Sequence, residues 1–294
     1  FPFRKISEIQ DRVYKIQEAI GRIESRQISS YKSKDILKSQ FKVFSQWGED
    51  GLLQFLISNI QFCNNKFIEF GVEDYTESNT RFLVSNNQWT GLVIEADANL
   101  VEKIKKDTIY WSSNIKAVNH FITKDNINEI IEKNGFAGDI GILSIDIDGN
   151  DYWIFKAINI VNPDLIIIEY NSHFGNKLPL STPYDESFVR SKKHFSNIYY
   201  GASIRALNDL ANEKGYSLIA SNNVGNNLFF LKNDLIEDLK VLSVEEAFTK
   251  AVFRETKNPD GTLSYLGYDE SVKIISNLEL INTKTNEKIF LKDI

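Results

Sequence analysis

The chain has 294 residues, 42% hydrophobic and 25% charged, a balance that suits a globular protein of one large or two small domains. Its 34 basic and 40 acidic residues leave a net charge of −6, no electrostatic footprint for nucleic acid or an anionic membrane. No apolar stretch reaches the roughly 20 residues needed to span a bilayer. The single Cys63 excludes an internal disulfide, and with no visible signal peptide a cytoplasmic location is expected.

In chain order, Ile6, Ile9, Val13, Ile16, Ile20 and Ile23 recur at alternating spacings of three and four, the a and d spacing of a coiled coil. They predict a helix over residues 1–30 that either packs on its own domain or joins copies into a homo-oligomer. Next comes Phe44-Ser45-Gln46-Trp47-Gly48-Glu49-Asp50-Gly51, before an apolar helix over about 52–60. From Lys66 strands and helices alternate: strands near 66–70, 91–95, 115–118, 140–146 and 164–169, with helices near 80–86, 100–106, 126–134 and 151–159. A loop of about 30 residues follows, 171–200, longer than most connections and so a candidate lid. A helix over 203–214 is stopped by Gly215, and two short strands around Asn222-Asn223-Val224-Gly225-Asn226 read as an antiparallel edge hairpin. A helix over 244–253 and a polar turn at 258–261 precede a tail without clear pattern. Alternating βα units ending in a hairpin mean a doubly wound, Rossmann-like sheet. The expected parts are residues 1–30 as N-terminal helix, 31–240 as Rossmann-like domain and 241–294 as C-terminal extension or lid.

Four of the apolar runs end in a carboxylate: Glu69, Glu95, Asp146 and Glu169. Continuous apolar runs are what buried parallel strands look like, and ligands in open α/β sheets bind at the carboxyl ends of strands. The turn after the first run, Glu69-Phe70-Gly71-Val72-Glu73-Asp74-Tyr75, lets backbone approach a ligand at Gly71. It lacks the glycine pattern of a pyrophosphate site, and Glu73 and Asp74 would repel phosphates, so a positively charged cofactor suits it better than NAD or FAD. At Ile94-Glu95-Ala96-Asp97, Glu95 is placed to accept two hydrogen bonds from a ribose diol, while Asp97 fits a helix N-cap.

Asp146-Ile147-Asp148-Gly149-Asn150-Asp151 puts three carboxylates in six residues, costly unless a cation or hydrogen bonds offset the repulsion. The bland reading has Asp148 or Asn150 capping the following helix. Glu169-Tyr170-Asn171-Ser172-His173 ends the next strand. Together Asp146 or Asp148, Glu169 and Asn171 make an all-oxygen set suited to Mg or Mn, or Ca, rather than zinc. His173 lies just past the strand tips, a candidate general base or ligand.

These residues resemble the class I S-adenosylmethionine-dependent methyltransferases, and more closely the FkbM-type enzymes and their relatives in bacterial surface-glycan clusters. The strings that carry the resemblance are Gln46-Trp47-Gly48-Glu49-Asp50-Gly51, Phe67-Ile68-Glu69-Phe70-Gly71-Val72, Ser144 through Tyr152, and Tyr200-Gly201-Ala202-Ser203. The likeness covers about residues 40–235. It implies a seven-stranded sheet with the last strand antiparallel, and S-adenosyl-L-methionine held by Glu69, Gly71, Asn79, Glu95, Ala96 and Asp146. It also implies catalysis through His173 and Asp146, and a metal on Asp148, Glu169 and Asn171. The methyl would be transferred between Gly71 and the Asp146 cluster, onto a small-molecule acceptor such as a sugar or phosphorylated metabolite of capsule or surface-polysaccharide biosynthesis. The chain departs from the pattern in one place: Val72-Glu73-Asp74-Tyr75 replaces the second glycine of the first turn. Two rival readings are a nucleotide-sugar glycosyltransferase using Asp146-Ile147-Asp148 as its D-x-D, and a non-catalytic Rossmann-like scaffold.

Overall fold

The computed structural model describes residues 2–30 and 36–294; Phe1, the side chain of Ile6 and the expected boundary at residue 31 lie outside the described residues. The chain divides into two compact units, residues 1–119 and 120–294.

In the first unit a helix, Pro2–Ser30, precedes a second, Glu49–Asn59. Three parallel strands follow: β1 (Lys66–Phe70), β2 (Thr90–Glu95) and β3 (Ile115–Asn119). Helices Arg81–Asn87 and Ala98–Lys106 make the crossovers. Phe67 faces Gly91 across the ladder, and a Cβ at Gly91 would sit 1.9 Å from the Phe67 ring, so glycine there is what lets the ring lie flat against β2. The first helix packs one face on its own unit. Gly21 meets Val43 and Phe82 so closely that an added Cβ would lie 2.5 Å from Val43, and Tyr14 leans on Phe44 with ring centroids 6.4 Å apart. Its other face carries Ile9, Val13, Ile16, Ile20 and Ile23, all 53–61% exposed.

In the second unit β4 (Gly138–Ile145) and β5 (Val161–Glu169) run parallel, joined through the helix Asp151–Ala157. After β6 (Leu180–Ser181) and the helix Ile204–Glu213, the hairpin of β7 (Tyr216–Ser221) and β8 (Asn227–Lys232) lays β8 antiparallel on β5. The seven strands are ordered β3-β2-β1-β4-β5-β8-β7, a mostly parallel Rossmann-like sheet with the expected antiparallel hairpin at its edge.

The tail departs from expectation. The helix expected over 244–253 stops at Val244–Ala247, because Phe248 turns extended at φ −67°, ψ 123°. Beyond it lie a helix, Tyr268–Ile275, and two strands, β9 (Glu279–Asn282) and β10 (Lys288–Phe290), which with β6 form a second antiparallel sheet. Phe174, Leu180, Ile198 and Tyr199 from the long loop bury themselves against Ile275 and Leu280 from the tail. Loop and tail are therefore one small folded layer. Neither half contains enough apolar residues to announce itself in sequence, since each supplies only part of the shared core.

Candidate functional site

In the first unit, the tips of β1 and β2 hold two carboxylates with different fates. Glu69 is buried, and both of its oxygens are engaged: Oε1 accepts from the Asn79 backbone N–H at 2.8 Å, Oε2 from the N–H and hydroxyl of Thr80. Burial pushes its pKa up to about 7 against those hydrogen bonds. Glu69 thus fastens the segment around Asn79 to the sheet. Glu95 is half-buried at the tip of β2. Its Oε2 accepts from Glu73 N–H at 3.0 Å and its Oε1 from Asp97 N–H at 2.9 Å. Each carboxylate oxygen has a second lone pair, so the group is held rigidly and retains acceptor capacity. Gly71 adopts φ 67°, and Glu73 and Tyr75 also take left-handed backbone, at 49° and 63°. Such backbone is costly for side chains other than glycine, and clusters where a turn serves a ligand. Asp97 accepts from Asn99 N–H at 2.7 Å and caps its helix, as expected. Asn119, which sequence reasoning missed, donates to the carbonyls of Glu95 and Ala96 at 3.0 and 2.8 Å and fixes the second loop.

The Gln46–Gly51 string is structural. Asp50 Oδ2 accepts backbone N–H groups from Val43, Phe44 and Ser45 at 2.7–2.8 Å, and Glu49 accepts from Trp47 and Gly48. A Cβ at Gly51 would fall 1.9 Å from the Ser39 carbonyl, so only glycine fits against that backbone.

In the second unit, Asp146, Asp148 and Glu169 bring carboxylate oxygens within 4.8 Å of one another. Asp151 stands apart from this cluster. Its two oxygens accept from the N–H groups of Ile147 and Gly149, both at 2.9 Å, which curls the 146–150 turn and leaves Asp148 at φ 56°. Neither Asp148 nor Asn150 caps the helix Asp151–Ala157 with its side chain, so the bland reading of those residues is replaced by Asp151 as the turn's anchor. Glu169 is 7% exposed, and its Oε2 has no hydrogen-bond partner among the described residues. Burial raises the pKa of Asp146 and of Glu169 well above the usual carboxylate range. The charges of Asp148 and Asp151 add to the shift at Asp146, those of Asp146 and Asp148 to the shift at Glu169, and Arg190 opposes both. Two such groups side by side need a shared proton or a cation between them.

Arg190, missed in the sequence, is the counter-ion. It pairs with Asp148 and with Glu255, donates from Nε to the Asn197 carbonyl at 2.6 Å, and lies 3.8 Å over the Tyr200 ring. Tyr200 in turn donates to Glu169 Oε1 at 3.4 Å. No sequence signal links Arg190 or Glu255 to the cluster; both come from the loop-and-tail layer. The Tyr200-Gly201 string was the nearest pointer.

Asn171, expected as a metal ligand, is engaged by its protein neighbours. Its amide donates to the carbonyls of Ile198 and Tyr200 at 2.8 and 2.9 Å, and its Oδ1 receives the His173 N–H and faces His173 Nδ1, both at 3.0 Å. Both lone pairs of the carbonyl oxygen are thereby used. His173 is buried, stacked on Tyr268 with ring centroids 5.3 Å apart and planes at 11°. Burial, then the positive charge of Arg190, lowers its pKa to about 4. It is a neutral, oriented imidazole and a weak proton acceptor.

No family model matches the chain, and no curated protein matches it. Among solved structures it is similar to M. capricolum TrmK in complex with S-adenosyl-homocysteine, at 12% identity and TM-score 0.37 over 64% of this chain and 71% of that one. It is also similar to an S-adenosylmethionine-dependent methyltransferase from Clostridium acetobutylicum, at 9% identity and TM-score 0.39 over 79% and 98% of the two chains. A third is the N-terminal domain of EvdMO1 with S-adenosyl-homocysteine bound, at 9% identity and TM-score 0.38 over 72% and 94%. At these identities and scores, any functional reading rests on the residues themselves.

Proposed function

We propose that the chain is an S-adenosylmethionine-dependent methyltransferase acting on an oxygen of a small polar acceptor, a sugar or phosphorylated metabolite of bacterial surface-polysaccharide biosynthesis. Glu95 carries the reading. A half-exposed carboxylate at the tip of β2, braced by one backbone N–H on each oxygen, suits the paired hydroxyls of a ribose. The acidic turn from Gly71 to Asp74 favours a cationic cofactor over one bearing phosphates. The cofactor would supply an electrophilic methyl group; the protein's part is to align it with the acceptor. Gly71, Ala96 and the backbone around Asn79 would shape the cofactor side. Glu69 supports that side from beneath by holding Asn79 and Thr80.

Toward the acceptor, the Asp146–Glu169 pair without a cation would take a hydroxyl proton better than His173, because burial makes the pair more basic and the imidazole less so; a cation on the same oxygens would take the place of that proton. His173 would serve as a fixed hydrogen-bond acceptor. The orphaned Glu169 Oε2 and the all-oxygen set with Asp146 and Asp148 fit a hard divalent cation, Mg or Mn, which would supply charge compensation at the acceptor oxygen.

Isothermal titration with S-adenosylmethionine and with a nucleotide sugar tests this. S-adenosylmethionine should bind, and Glu95→Ala should weaken it by about 10- to 100-fold, the worth of hydrogen bonds to a charged acceptor. Binding of the nucleotide sugar alone would assign Asp146-Ile147-Asp148 to glycosyl transfer, and binding of neither would leave the scaffold reading.

A further inference from the structure

The segment that closes the first strand's turn is tied to two buried acids. Glu69, at the tip of β1, accepts from the N–H groups of Asn79 and Thr80. Asp50, 1% exposed in the second helix, grips residues 43–45: its Oδ2 accepts the N–H groups of Val43, Phe44 and Ser45 and the Ser45 hydroxyl, at 2.7–2.9 Å. The Phe44 carbonyl in turn accepts the Ser78 N–H at 3.1 Å. Residues 78–80 are thereby fastened to both carboxylates. One oxygen does all of the fastening at Asp50. Its Oδ1 is buried and has no hydrogen-bond partner among the described residues.

The charge at Asp50 is left over in the same way. Four donors on Oδ2 favour the ionised form, while burial raises the pKa to about 6. At Glu69 burial raises it to about 7, and the charge of Asp50 adds to that shift. Both are therefore carboxylates at pH 8. The cation at hand is Arg81, directly after Thr80, and it is committed elsewhere. It pairs with Asp107 at 2.9 Å, donates to the Tyr75 carbonyl at 3.0 Å and lies 5.0 Å over the Phe44 ring. Lys42 is exposed and pairs with Glu77, and Glu49, beside Asp50, is a further buried acid. An unpartnered oxygen and an unbalanced negative charge in a low-dielectric interior favour a positive charge brought near them. Methyl transfer changes that charge on the cofactor itself. S-adenosylmethionine is a sulfonium cation; once the acceptor takes the methyl, the S–C bond pair stays on sulfur and the thioether product is neutral.

We infer that Asp50 is a specificity-determining residue for the cofactor, whose charge favours the sulfonium over the neutral thioether and so lets the spent cofactor leave. The inference rests on the methyltransferase reading above. Two unit charges about 10–15 Å apart at an effective dielectric of about 20 change an equilibrium about tenfold. Isothermal titration of the full chain at pH 8 tests it with S-adenosylmethionine, S-adenosyl-homocysteine and sinefungin, which carries an amine close to the place of the sulfonium. The wild type should bind both cationic ligands more tightly than S-adenosyl-homocysteine; the reverse order would overturn the inference without any variant. Asp50→Asn removes the charge and keeps the shape. Its carbonyl oxygen can accept the donors of residues 43–45 and its amide nitrogen replaces the unpartnered oxygen, so its melting temperature should be unchanged or raised. The variant should bind S-adenosylmethionine and sinefungin about tenfold more weakly, and S-adenosyl-homocysteine within about twofold of the wild type. An equal loss for all three ligands would make Asp50 a strut alone, and no loss for any would remove it from the site. Either result overturns the inference and leaves the methyltransferase reading standing, whereas a wild type that binds none of the three overturns both.

Discussion

Glu69 shows how one buried carboxylate sets a pH dependence. Its folded-state pKa is raised from 4.5 to about 7, chiefly by burial. The folded chain therefore holds a proton that the unfolded chain has released. The stability this contributes is complete below pH 4.5 and is lost as pH rises through 7. The shift corresponds to about 3 kcal/mol. Glu69→Gln should flatten the stability profile between those values by roughly one proton, read as urea midpoints from pH 4.5 to 7.5. An unchanged slope would mean that Glu69 is not the titrating group. Glu95 is the contrasting residue: its environment braces it without burying it.

At the scale of elements, Asn171 joins the end of β5 to the segment around Ile198 and Tyr200 and orients His173 through one amide group. Removing it leaves two buried carbonyls unsatisfied, so Asn171→Ala should cost at least about 2 kcal/mol in chemical denaturation. Asn171→Asp should be worse, since a carboxylate cannot donate to those carbonyls and adds a buried charge. A metal ligand would behave oppositely, with Asp the conservative replacement and manganese affinity preserved or raised. The same pair of variants therefore separates a strut from a ligand. Residues 146–151 read as three similar acids, yet in the fold one of them, Asp151, anchors the turn that aims the other two.

For the whole molecule, the charge balance at the Asp146 cluster matters most. Four carboxylates, from Asp146, Asp148, Glu169 and Glu255, surround the Arg190 guanidinium, with Asp148 and Glu255 paired to it. A divalent cation that binds there stabilises the folded chain by about 2.7 kcal/mol at 100 times its dissociation constant. Thermal unfolding with Mn²⁺ should therefore shift upward by several degrees in the wild type and not in Asp148→Asn with Glu169→Gln. An equal shift in both would place manganese elsewhere.

The strand runs, the crossover helices, the edge hairpin and the Asp97 cap were legible because each is written in contiguous residues whose pattern reports local burial or a local hydrogen bond. So were the strand-end positions of Glu95, Asp146 and Glu169, since each of these carboxylates ends an apolar run. Only the tertiary structure decided the rest. It turned Glu69 into a buried fastener, gave Asn171 to the backbone, lowered the basicity of His173, and brought Arg190 and Glu255 to the acids from 42 and 107 residues beyond Asp148. Those outcomes depend on which groups share a low-dielectric space and which donors reach them. Neither is a property of any window of sequence, because the chain segments involved meet only when the loop and the tail build their common core.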